Sequence, residues 1–304
     1  DRLEAHARDG VHPPPRKGAS GLMTTTPQPV SAQEHHQFRD TTAKAFLGLL
    51  RRDATVLRKN LKEFIPRTLI QPFLLVFVFA YVFPQIGNGP TGAAGSVYAT
   101  TLIAGVLGLS IMFQGIQAVS LPMVQEFGIT REIEDRVLAP LPVSLVAIEK
   151  VVSGALQGLI AALIVFPIAA VVPVSPVHLH ITWWVLLTLA PLAAVACSSL
   201  GLFFGTKFNP RSVPMLFGII VLPLTFLGCT YYSWKSLNPI KAGSVPWLQV
   251  VVLVNPLVYI SEGFRAAVTH NAHMSLLAIY PALLGFTALF LYQGIRGFKQ
   301  RVLS

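Results

Sequence analysis

Residues 97–121 read VYATTLIAGVLGLSIMFQGIQAVSL, with no Asp, Glu, Lys, Arg or His among them. As a helix rising 1.5 Å per residue, this stretch is long enough to cross the roughly 30 Å hydrocarbon core of a bilayer. Five further stretches share the pattern: 68–86, 151–172, 181–205, 213–232 and 275–295. Lipid offers no hydrogen bonds to an exposed backbone, so each apolar run satisfies its own peptide groups as a helix. The whole chain agrees, at 53% hydrophobic, 12% charged and a mean hydropathy of +0.61, which is too apolar for a soluble globule. These features predict an all-α membrane protein with six transmembrane helices.

The basic residues orient it. Arg51, Arg52, Arg58, Lys59, Lys62 and Arg67 precede the first span, and Arg131, Arg136 and Lys150 follow the second. Lys207 and Arg211 follow the fourth, and Arg296, Lys299 and Arg301 follow the last. The alternate loops 87–96 and 173–180 hold no Lys or Arg, which puts both termini in the cytoplasm. A formal net charge of +10 spread over tails and loops makes no stripe for nucleic acid. Between Val245 and Tyr259 the run is short and broken by Pro256, so 240–265 reads as a re-entrant outer segment.

Upstream, residues 1–42 carry no apolar run and predict a disordered cytoplasmic tail without a cleavable signal peptide; Met23, followed by three threonines, reads as a native start. The membrane domain is expected over 43–304. Within 43–66, Phe46, Leu50, Ala54, Leu57, Leu61 and Phe64 recur at spacings of four and three. Arg51, Arg58, Lys59 and Lys62 fall opposite, as in an interfacial amphipathic helix whose partners are membrane lipids.

Several chemistries are excluded or left without support. No stretch matches a phosphate-binding G-x-x-x-x-G-K-[ST] loop; Gly201 to Lys207 comes nearest, with Thr206 before the lysine. Cys197 and Cys229 sit in apolar runs and read as buried thiols. His178, His180, His270 and His273 read as loop histidines, so no metal site is expected. The six spans contain no ionisable group of the kind a proton or ion relay needs, although Gln71, Gln114, Gln117 and Gln157 are polar. Gln114 and Gln117, with the stripe Phe73, Phe77 and Tyr81, are candidates for a translocation path; packing between helices is the alternative use for each.

The longest inner loop, 124–142, contains Glu126 to Pro142 as EFGITREIEDRVLAPLP. Thr130 can cap a short helix with Glu132, Glu134 and Asp135 at its positive end, and Pro140 and Pro142 close it. The loop, continued by Glu149-Lys150, resembles the cytoplasmic coupling segment of type-2 ATP-binding-cassette (ABC-2) exporter permeases, departing from it at Phe127. That family includes daunorubicin-type drug, nodulation-factor, and O-antigen or teichoic-acid exporters. Trp247, then Asn255-Pro256, then Glu262 and Arg265 are similar to its re-entrant region, and the amphipathic segment resembles its elbow helix.

The resemblance implies a transport subunit with no catalytic residue, in a bacterial cytoplasmic membrane. Glu126, Gly128, Thr130, Glu132, Glu134, Asp135 and Arg136 would meet two copies of a separate ATPase, which would hold ATP and Mg. A second permease copy or a paralogue would complete the assembly, and the cargo would be an amphiphilic drug, lipid or lipid-linked glycan. An ion-coupled carrier and a membrane-embedded lipid-modifying transferase are the competing classes. Glu262 and Arg265, three apart, can meet on one helical face, either as a brace for the outer segment or as a solvated pair.

Overall fold

Proline and glycine punctuate the apolar runs, and they shape the helices of the computed structural model. It describes residues 32–127, 142–208, 212, 215, 217–241 and 245–303, with side chains described between Thr42 and Val302. Helix α1 runs Ala32–Lys59, and α2 runs Leu61–Val76, prolonged by a π-helical stretch, Phe77–Val82, and a last turn, Phe83–Gln85. Next come α3 (Gly92–Gln125), α4 (Val143–Val171) and α5 (Trp183–Lys207). The chain ends with α6 (Phe217–Phe226), α7 (Trp247–Val251), α8 (Pro256–Val268) and α9 (Leu276–Leu303).

The prolonged α2, α3, α4, α5 and α9 are long and apolar enough to cross a membrane. Within segment 213–232, residues 213, 214 and 216 lie outside the described ones; α6 is described over Phe217–Phe226, and Met215 just before it is also helical. The chain crosses there. Arg301 caps the carbonyl of Phe208 at one end of the bundle, whereas Tyr231 shares a cavity with Ala94 and Val97 at the other. The C-terminal end of α6 has a local cause. Helix α6 stops at Leu227, Cys229 takes a left-handed φ of 53°, and the carbonyls of Cys229 and Thr230 accept from Arg265 instead of from a following turn.

Arg67, Lys150, Lys207 and Arg301 lie at one end of the bundle, and all four tryptophans lie at the other. We call these the basic end and the tryptophan end. Helix α3 runs through the centre, buried against α4, α5 and α8. Small residues let the backbones approach: a Cβ on Gly201 would lie 2.7 Å from the Ile116 carbonyl oxygen, and one on Gly154 would lie 2.5 Å from Val119 Cγ2. Helices α2 and α9 are the outer ones, leaving Ile70, Leu74, Leu277 and Leu284 exposed.

On α1, Arg51, Arg58 and Lys59 are exposed while Phe46, Leu50 and Leu57 are half-buried. Two expectations shift. The helix starts at Ala32 instead of 43 and breaks at Asn60, so Lys62, also exposed, belongs to α2. Its apolar face also beds partly on protein, with Ala45, Phe46 and Leu49 packed against a cluster containing Met123, Val146, Leu202 and Phe298.

Helix α7, with the tight turn Val252–Val254, meets α8 at a 99° bend. Asn255 makes the corner. Its Oδ1 accepts from the Leu257 N–H at 2.9 Å, its Nδ2 donates to the Leu224 carbonyl at 2.7 Å, and Pro256 supplies the first helical position. Both open ends return to the tryptophan end: Trp234 Nε1 donates to the Gln249 carbonyl at 3.0 Å, and the His180 N–H donates to the Val268 carbonyl at 3.0 Å. The segment dips and comes back, as a re-entrant element does.

Candidate functional site

At the basic end, α1, α2, α3 and α4 leave a cavity of about 500 Å³ between them. Its walls mix amides and charges with apolar side chains such as Leu57, Phe64 and Leu121. Arg67 on α2 donates to Gln117 Oε1 on α3 at 3.0 Å. One turn deeper, Thr68 donates to Gln114 Oε1 at 3.3 Å, and Gln114 donates on to Gln157 of α4 at 3.4 Å. The three glutamines thus link α2, α3 and α4 side by side.

One wall of this cavity carries an ion pair. Lys150 Nζ lies 2.6 Å from Glu126 Oε1, with side chains only 5% and 8% exposed. Glu126 directly follows the last residue of α3 and Lys150 sits two turns into α4, so the pair joins the two helices flanking the 126–142 loop. Glu149 beside it is fully buried. This corrects the expectation that the spans are free of ionisable groups. The third helix begins at Val143, eight residues ahead of the predicted span, and takes Glu149 and Lys150 into its buried face. The apolar sequence Val143-Ser144-Leu145-Val146-Ala147-Ile148 ahead of them was the available signal.

A second ionic node lies near the tryptophan end, and it is dry. Glu262 and Arg265 are both 0% exposed. Glu262 Oε1 accepts from Arg265 at 2.8 Å and from the Trp234 N–H at 2.7 Å, while its Oε2 accepts from the Met274 N–H at 2.8 Å. Arg265 in turn donates to the Cys229 and Thr230 carbonyls. Four pieces of chain meet at this node: the 229–230 turn, the Trp234 turn, α8 and the entry to α9. The alternative of a solvated surface pair does not hold; burial and two backbone N–H donors make the carboxylate structural.

The family model described as ABC-2 type transporter matches residues 44–269. The chain belongs to that family. The inner membrane transport permease YadH of Escherichia coli strain K12 is 28% identical over 205 residues, covering 66% of this chain and 74% of the relative; the protein of the same name in Shigella flexneri matches to the same extent. The chain is therefore a multi-pass membrane transport permease.

Within this ABC-2 permease, the expected coupling residues Gly128, Thr130, Glu132, Glu134, Asp135 and Arg136 lie outside the described residues; Glu126 stands at their threshold. The two halves of the expected path come apart. Phe73, Phe77 and Tyr81 stack on one another, with centroids 5.7 and 5.3 Å apart, whereas Gln114 and Gln117 face the polar cavity. None of the three aromatics lines it. Of the outer residues, Asn255, Pro256, Glu262 and Arg265 converge at the bend and the buried node, and Trp247 is 45% exposed at the rim. Both cysteines are free and buried, as expected.

Proposed function

We propose that this permease is the membrane half of an ATP-driven exporter in a bacterial inner membrane, with its basic end in the cytoplasm. Two copies of an ATPase, holding ATP and Mg, would dock there, and a second permease copy or a paralogue would complete the complex. The observation that carries the reading is the Glu126–Lys150 pair. It makes α3 and α4 one body on either side of the charged loop, so a push on that loop moves both walls of the polar cavity together. At the far end the braced re-entrant element is the outer seal. An amphiphile enters with its head in the cavity and its tail along the exposed face of α2, and leaves past the outer seal.

The buried charges remove one argument against an ion-coupled carrier. Another replaces it, since Glu262 accepts from Arg265 and from two backbone N–H groups, which makes it part of the fold. The test is reconstitution with the co-purified ATPase. Export should follow ATP turnover and persist when the proton gradient is collapsed, and Glu132, Glu134 and Asp135 changed together to Ala should lower it with the permease still folded. Export lost with the gradient while ATP is intact would overturn the proposal. Orientation has its own check: a Cys at Asn271, in a background lacking Cys197 and Cys229, should react with an impermeant thiol reagent from outside.

A further inference from the structure

Helix α9 reaches both the entry of the inner loop and the ionic node at the tryptophan end. At the basic end, the Phe127 ring meets Phe298 of α9 edge-on, with centroids 5.8 Å apart, and the Arg301 guanidinium lies 5.5 Å over the same ring. Phe298 is fully buried, and Arg301 also donates to the carbonyls of Gly205, at 3.2 Å, and Phe208 where α5 ends. At the tryptophan end, the Met274 N–H just ahead of α9 donates to Glu262 Oε2 at 2.8 Å. One turn later Ile279 packs on α8, where a Cβ on Gly263 would lie 3.3 Å from Ile279 Cγ2. Between these ends α9 is unbroken over 28 residues, a rise of about 42 Å. It is bedded on α5 along the way: Tyr280 Oη lies 2.5 Å from Thr188 Oγ1, and Cβ atoms on Gly294 and Gly297 would lie 2.9 Å from Leu202 Cγ and 2.8 Å from Thr206 Oγ1. Packing this close leaves little slack, so a shift at one end of the helix is carried to the other instead of being absorbed. Two adjacent residues at the loop entry thus hold different partners, Glu126 the Lys150 of α4 and Phe127 the end of α9.

We propose that Phe127 and Arg301 are positioning residues for the re-entrant element, acting along α9 on the Glu262–Arg265 node at its far end. This rests on the exporter reading above for its meaning in transport, but not for its test. The chain carries its own reporter and control in its only two cysteines. Cys229 is 0% exposed and gives its carbonyl to Arg265 inside the node, beside Thr230, which Gly105 of α3 touches. Cys197 is 3% exposed and lies against Gly115, about 15 Å further along α3. The full-length permease in nanodiscs, without ATPase or ATP, is exposed to N-ethylmaleimide on both faces, and the modification of each cysteine is followed in time by mass spectrometry. Phe127→Ala and Arg301→Gln, both at the basic end, should each speed modification of Cys229 about fivefold, the low end of coupling between distant sites, and leave Cys197 unchanged. Lys150→Met, which cuts the other connection at the same loop entry, should leave Cys229 within about twofold of the unaltered chain. Phe127→Leu keeps apolar bulk against Phe298 without the ring under Arg301, and should shift Cys229 the same way by less; it keeps the test open if the Ala variant misfolds.

Unaltered modification of Cys229 in the Phe127 and Arg301 variants would overturn the assignment. So would Cys197 and Cys229 rising together, which is general loosening, or an equal rise in Lys150→Met, which would take the route away from α9. A selective Cys229 response without ATP-dependent export in the complete complex would sink the exporter reading alone. ATP-dependent export with no Cys229 response would sink this inference alone.

Discussion

Two carboxylate–cation pairs, Glu262–Arg265 and Glu126–Lys150, are about equally short, at 2.8 and 2.6 Å, yet their surroundings differ. The first is sealed, and its carboxylate also accepts two backbone N–H groups from other parts of the chain. The second borders an open polar cavity. The difference teaches that an ion pair inside a membrane protein does one of two jobs. Where the pair is sealed and its carboxylate also accepts backbone N–H groups, it fixes a shape. Where water or a head group can approach, it links two helices and leaves them able to move.

The sharpest way to break this comparison is to remove one partner from each node. Arg265→Met leaves Glu262 charged and buried, and should cost about 3–5 kcal/mol, seen as collapse of monodisperse yield and of thermal unfolding temperature. Changing Glu262→Gln as well should recover part of that loss. Exchanging the two residues should recover nothing, because the guanidinium would then face the Trp234 and Met274 N–H groups. Stability restored by the exchange would show the backbone contacts to be incidental.

Gly105→Ala tests the same region without touching a charge. Its Cβ would lie 2.0 Å from the Thr230 carbonyl oxygen, next to the turn that Arg265 holds, and overpacking there should cost about 1–3 kcal/mol by thermal unfolding. Gly285→Ala, which meets nothing within 4 Å, is the control and should be neutral or slightly stabilising.

At the other pair, Lys150→Met should cost less than Arg265→Met, about 1–3 kcal/mol, because the cavity lets water reach Glu126. Its mark should be functional: ATP turnover by the complex persists while export falls. Export and turnover falling in step would mean that the pair is only structural. Gln117→Leu should move stability least, within about 0.5 kcal/mol, since it gives up a single partly exposed hydrogen bond.

Much of this was legible in the residues. Runs such as 97–121 named the spans because lipid permits little but helix, and Asn255-Pro256 named the corner because an amide cap and a fixed φ suit a helix start. The i,i+3 spacing brought Glu262 and Arg265 together. Their burial was not legible, because Trp234 and Met274, which make it tolerable, lie 28 and 12 residues away from Glu262 in sequence and contribute only backbone. Lys150 was misplaced for a similar reason: a charge ends an apolar window, whatever partner the fold provides. The stripe of Phe73, Phe77 and Tyr81 and the glutamines of α3 lie at different depths, since Gln117 and Gln114 meet α2 at Arg67 and Thr68, ahead of the stripe, which no linear pattern reports.

The outer node also constrains how the protein is made. Glu262 and Arg265 are one helical turn apart, so α8 can enter the membrane environment as a self-neutralised piece. The donors that finish the carboxylate come from Trp234, already synthesised, and from Met274, which follows. Until Met274 and the helix behind it have left the ribosome, the hairpin has a closed corner at Asn255 and an open latch at Glu262. Helix α9 is therefore the one that locks the door, and a chain stopped before it would keep the re-entrant segment in place without its final tie.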